Sequence, residues 1–138
     1  MTSLLERIGT TGLGVLVTLK RDGRPQLSNI TYVYDGEQVR ISMTDDRVKT
    51  KNLRRDPRAS VYINEDGGRA YIVLEGKAEL TPVAADPNDA TVDELVDYYR
   101  KGSGEHPDWD EYRAVMVQDK RLLFSMTVEH AYGMPTPN

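Results

Sequence analysis

The spacing of apolar and polar positions changes period several times along the chain. In QVRISM (38 to 43), Val39, Ile41 and Met43 alternate with Gln38, Arg40 and Ser42, the two-residue period of a strand with one buried face. GVLVTLK (14 to 20) and PQLSNITYVYD (25 to 35) flank Asp22-Gly23, a dipeptide that supplies the backbone of a tight hairpin. Asp35-Gly36 predicts a second turn into QVRISM. ASVYIN (59 to 64) and AYIVLEGKAEL (70 to 80) are separated by the turn-forming EDGG, and RLLFSMTVEHAYG (121 to 133) reads as one closing strand, the sixth.

Between the strands the period lengthens. SLLERI (3 to 8) predicts a short amphipathic helix before Gly12 and Gly14, read as breakers. Residues 46 to 55 predict a second helix, stopped by Pro57. Beyond Pro82 and Pro87, TVDELVDYYRK carries Val92, Leu95, Val96 and Tyr99 at helical spacing, and WDEYRAVMVQD follows as a further helix. Hairpin-linked strands with short helices inserted predict a mainly β protein, a small antiparallel barrel, and not a doubly wound sheet, which needs regular strand and helix alternation. The expected organisation is a single domain over residues 1 to 138 with a helical insertion at about 86 to 118.

With 38% hydrophobic and 29% charged residues, the composition is that of an ordinary globular protein. Cysteine is absent, which excludes thiolate catalysis, thiolate metal ligation and disulfides and fits a reducing cytoplasm. The first residues lack the pattern of a signal peptide, and no stretch has the roughly 18 apolar residues of a membrane span. A cytoplasmic protein with no membrane partner is expected.

Charge changes the picture most. RVKTKNLRRDPR (47 to 58) holds six cations and one acid, about +5 in a chain of formal charge −4, so the remainder sums to about −9. Residues 79 to 111 hold ten acids and two bases. That acidic stretch reads either as a solvated helix face or as the frame of a cavity. One short basic segment in an acidic chain argues against nucleic acid, which needs a basic domain face. It suits a small anionic ligand, with cations around a phosphate and a helix N-terminus adding amide donors, or else a solvated basic helix.

The local signatures of hydrolases, zincins, NTPases and dinucleotide-binding enzymes are missing. The acids show no metal-loop spacing, and no metal is expected. His106 reads as a surface residue and His130 as a packed or interface residue. On the strand after the first hairpin, Gln26, Ser28 and Ile30 point one way and Leu27, Asn29 and Thr31 the other. Amide and hydroxyl side chains of this kind suit the edge of a flat polar ring, or simply a polar edge strand.

GVLVTLKRDGRPQLSN, RVKTKNLRRDPRASV, YIVLEGKAELT and the terminal HAYGMP, in this order, resemble the pyridoxamine-phosphate-oxidase-like split β-barrel superfamily. Within it they resemble the B group of flavin/deazaflavin oxidoreductases, which uses coenzyme F420, especially its mycobacterial members. The resemblance covers nearly the whole chain. It implies a homodimer with a cofactor in the groove between two barrels, F420 or alternatively FMN. It implies that Arg47, Lys49 and Lys51 grip the phosphate and acidic tail, with Thr50 offering a hydroxyl. Pro25, Gln26, Leu27, Ser28 and Asn29 would line the ring, as would Ser42, Met43 and Thr44. Partner-chain residues near Tyr71 and in HAYGMP would cover its other side. Arg54, Arg55 and Arg58 exceed what FMN needs, although some are candidates to pair with the acidic insertion. The implied activity is hydride transfer from reduced F420 to an electron-poor small molecule. The alternatives are an FMN-dependent oxidoreductase and a non-catalytic F420 or flavin carrier. No catalytic side chain is assigned; the proton would come from solvent or from a polar group such as Tyr32 or Ser28.

Overall fold

The computed structural model describes residues 2–135, with side chains from residue 4 onward. Strand β1 (Thr11–Leu19) turns at Asp22-Gly23 into β2 (Pro25–Tyr34), and β3 (Gln38–Thr44) follows the Asp35-Gly36 turn. Gly23 and Gly36 take φ values of 87° and 95°, which a side chain would oppose, so these two dipeptides do form the expected turns. Helix α2 (Val48–Arg55) leads to β4 (Arg58–Glu65) and, past a 3-10 turn at Asp66–Gly68, to β5 (Ala70–Leu80). Helices α3 (Ala90–Ser103) and α4 (Trp109–Gln118) precede β6 (Arg121–Thr127) and β7 (His130–Met134). A short helix α1 (Thr2–Leu5) opens the chain.

The strands run antiparallel in the order β4-β1-β2-β3-β6-β5, and β5 pairs again with β4, which closes a six-stranded barrel; β7 is added beside β5. Leu16, Val39, Ile41, Met43, Val61, Ile72, Leu74, Leu122, Phe124 and Met126 fill its interior with almost no exposure. Each such side chain contributes about 1.5 to 3 kcal/mol by leaving water. The helical insertion forms a second, smaller core against the outside of β6, where Val92, Leu95, Val96, Tyr112 and Met116 pack with Leu123. The Tyr112 hydroxyl donates to the Leu95 carbonyl at 2.9 Å and ties α4 to α3.

Four sequence expectations are corrected. The first helix ends at Leu5, not residue 8, and tight-turn bonds from the amides of Arg7 and Ile8 follow it. Gly12 and Gly14 lie inside β1 and do not break it, because the wall leaves no room for a side chain: a Cβ on Gly12 would stand 2.8 Å from the Tyr32 hydroxyl. The closing segment is two strands, so the described residues form seven. The cause is a crossing at Gly76, where a Cβ would meet the Thr127 carbonyl at 2.4 Å. There the chain leaves β3, with Val128 N–H donating to the Glu37 carbonyl, and joins the earlier part of β5, with Glu129 N–H donating to Glu75. His106, finally, is half-buried among Tyr99, Trp109 and Tyr112, with ring centroids 5.2 to 5.6 Å away, and its Nδ1 accepts the Asp108 N–H at 2.9 Å.

Candidate functional site

The barrel wall has a seam. β1 and β2 pair along nine positions, but β2 and β3 pair only at Val33 with Arg40 and at Tyr34 with Val39. Extending that register would set Thr31 opposite Ser42 and Asn29 opposite Thr44, and the ladder stops short of both. From there β2 belongs to β1 alone and β3 to β6 alone. The basic helix α2 stands at the open end, beyond the last residues of β3.

Its anchorage follows from its sequence. Leu53 enters the barrel core, Thr50 Oγ1 donates to the Thr44 carbonyl at 2.8 Å, and Asn52 Nδ2 donates to Thr18 Oγ1 at 3.2 Å. Lys49 lies one helical turn before Leu53, on the same face, and is only 8% exposed. No side-chain carboxylate or other partner meets its ammonium among the described residues, while Arg47 and Arg121 stand close to it. Burial, then repulsion from Arg47 and Arg121, hold the Lys49 ammonium below its ordinary pKa of 10.5.

The three arginines expected to exceed what FMN needs are occupied by partners in the chain itself. Arg54 pairs with Asp45 at 2.7 Å, Arg58 with Asp56 at 2.8 Å, and Arg55 donates to the Leu19 carbonyl at 2.6 Å and to Asn52. None pairs with the acidic insertion, whose acids are met by Arg40, Lys101, Arg113 and Arg100. Arg47, Lys49 and Lys51 have no protein anion among the described residues.

The other candidate residues divide between two faces. Ser42 and Thr44 lie on the outward face of β3. Arg121 Nη1 donates to Ser42 Oγ at 3.4 Å, and Arg121 is the cross-strand neighbour of Thr44. Ser42, Thr44, Arg47 and Lys49 therefore gather around Arg121 on one lip of the seam. Pro25, Leu27 and Asn29 are exposed on the outward face of β2, the opposite lip. Gln26 and Ser28 turn inward: Gln26 Oε1 accepts from Thr18 Oγ1 at 3.0 Å, and Ser28 Oγ is buried with no partner among the described residues. Met43 is 1% exposed in the core, so only its backbone is available to a ligand.

Lys51 sits roughly 200° around the helix from Lys49. It lines a groove of about 490 Å³ with Lys20, Arg21, Asp22, Val48, Asn52 and Arg55. Asp22, the one acid there, is held by Arg24 at 2.9 Å. Arg121 was not anticipated; the signal was a cation opening the last apolar run, directly after Lys120 and the acidic insertion. Its Nε is buried without a close partner, 4.0 Å from the nearest carboxylate oxygen on Asp119. A buried cation without an anion and two neighbouring guanidinium groups fit a bound phosphate or phosphodiester. The described residues hold no cluster of three metal-ligating side chains.

Residues 3–134 match the pyridoxamine 5'-phosphate oxidase family. The chain belongs to that family. Among solved structures similar to this family member, an F420 reductase is 27% identical, with 94% of each chain covered and a TM-score of 0.63. A Clostridium acetobutylicum protein of the pyridoxine-phosphate oxidase family, related to a general stress protein, is 16% identical over 95% of this chain and 82% of its own, with a TM-score of 0.63. A heme-binding protein from Mycobacterium smegmatis is 21% identical over 98% of this chain and 54% of its own, with a TM-score of 0.69. The last two share the fold. The split-barrel expectation is thereby met for this oxidase-family chain.

Proposed function

We propose that the protein is an F420-dependent reductase that works as a homodimer. The observation that carries this reading is the buried, anion-less Lys49 beside Arg47 and Arg121, with a further cationic groove around Lys51. A single-phosphate flavin needs the first group only. F420 carries a phosphodiester followed by glutamate carboxylates, and so suits both. The family's flavin chemistry and the similarity to an F420 reductase support the same reading. When bound in reduced form, the deazaflavin supplies a hydride to an electron-poor acceptor. The chain's own part is to hold the phosphodiester at Lys49, Arg47 and Arg121, to offer Ser42, Thr44 and Asn29 along the seam, and to exclude water.

The second chain is inferred from an apolar outer face. Leu13 and Leu27 are 79% and 59% exposed, and a cavity of about 470 Å³ beside them is lined by Val15, Val17, Leu27, Ser60, Tyr62, Val73 and Tyr132. A face of this kind on the lip of the cofactor seam is suited to a symmetric partner that walls the ring from the other side.

Turnover separates enzyme from carrier. Reduced F420 mixed with an activated alkene or a quinone is expected to be reoxidised catalytically, read by the return of oxidised-cofactor fluorescence. Tight binding with no reoxidation by any of several acceptors would leave a carrier. Tail length gives a second check. Lys51→Ala is expected to weaken a long-tailed F420 about 2- to 5-fold, the worth of an exposed ion pair, and to leave a form cut back to the phosphodiester unaffected. Equal losses in a titration would place Lys51 outside the tail's path.

A further inference from the structure

The seam between β2 and β3 stops at a definite place, and a side chain stands in it. The turn bond from the Asp35 amide to the Gln38 carbonyl makes Asp35 and Gln38 a hydrogen-bonded pair. Val33 with Arg40 is then the next such pair, and Thr31 with Ser42 would be the one after, exchanging two backbone bonds. That rung is replaced. Tyr98, from α3, donates its hydroxyl to the Thr31 carbonyl at 3.2 Å, and the Ser42 backbone lies close to the same phenol. The Thr31 carbonyl, which would have accepted from the Ser42 amide, is met instead by the inserted hydroxyl, so holding the strands apart does not leave it unpaired.

The surroundings of the phenol are built. Arg40 and Arg121 stand near it, and Arg40 Nε, Arg40 Nη2 and Arg121 Nε are buried without partners among the described residues. Asp97, the neighbour of Tyr98 on α3, fixes Arg40 through Nη1 at 3.0 Å and also takes Lys101 at 3.1 Å. The helix is therefore pinned to the outside of β3 next to the inserted ring.

We propose that Tyr98 is a positioning residue that wedges β2 from β3 and sets the opening of the cleft that receives the cofactor ring. This rests on the reading of the seam as the cofactor site. It gives the acidic insertion a part beyond that of a solvated face: α3 carries the wedge.

The test uses Tyr98→Ala in the full chain, with amide hydrogen exchange on the cofactor-free protein and fluorescence titration with F420 and FMN. Without the wedge, Thr31 and Ser42 pair directly. The Ser42 amide is expected to keep or gain protection, the melting temperature to stay within a few degrees, and affinity for the cofactor that wild type binds to fall at least 10-fold. Should the alanine variant not fold, Tyr98→Leu, which keeps the packing near the helix and cannot reach the rung, carries the same expectations. Unchanged affinity in the folded variant would overturn the wedge, as would a Ser42 amide that exchanges at least 10-fold faster. If wild type binds neither F420 nor FMN, the cofactor-site reading fails first; exchange at Ser42 still reports whether Tyr98 separates the strands.

Discussion

Replacing Lys49 with alanine is expected to weaken F420 binding about 10- to 100-fold and to leave the cofactor-free fold unharmed. A charge-assisted hydrogen bond is worth roughly 1.5 to 3 kcal/mol, which gives that range. The stability half of the prediction follows from the depressed pKa. A lysine harder to protonate in the fold than in the unfolded chain costs stability at all pH values below its folded pKa. That cost disappears as pH rises from the folded pKa toward the ordinary 10.5. At neutral pH the substitution removes the cost, so the melting temperature should be unchanged or up to about 4 °C higher. Binding and pH are linked in the same way. An anion beside Lys49 favours the charged form, so affinity should be flat below the depressed pKa and fall above it. Rising salt should erode wild-type binding more than that of the variant. Equal affinities at two ionic strengths would make α2 a solvated basic helix.

The second large effect concerns assembly. If the proposed dimer forms through this face, Leu27→Asp is expected to raise its dissociation constant by about 100-fold or more, because a carboxylate placed in that apolar contact would lose water without gaining a partner. Leu27 is 59% exposed in the single chain and stands against Val15, Val17, Tyr62 and Tyr132, so the same substitution leaves the barrel interior untouched. Light scattering should show a dimer for wild type at micromolar concentration and a folded monomer for the variant, with cofactor affinity lost alongside. A wild-type monomer that binds cofactor at full affinity would remove the second chain from the site.

Much of this arrangement was written in local patterns, and what was missed was long-range. The strand at 70 to 80 was predicted with its observed limits because AYIVLEGKAEL lies between a glycine turn and a proline. The basic helix was also legible. Its burial of Lys49 was within reach, since Leu53 four residues on must face the core and brings Lys49 to the same side. The sequence also separated Leu27 and Asn29 from Gln26 and Ser28. It did not show which pair faces outward, since that depends on the barrel's closure through β4 and β5. Glycines at 12 and 14 misled, and the crossing at Gly76 went unseen, for a common reason: each serves a contact with a residue distant in sequence. Tyr98 read as one more residue of an amphipathic helix. Its role depends on a rung absent from a ladder two elements away.

The central claim, that the cationic lip of the seam is built for F420, is tested most directly by titrating the purified protein with F420 and FMN in parallel and following cofactor fluorescence. The account predicts saturable binding of both, with F420 at least 10-fold tighter and its advantage reduced in Lys49→Ala and Lys51→Ala. Tighter binding of FMN, or no binding of F420 at concentrations that saturate a carrier, would contradict it.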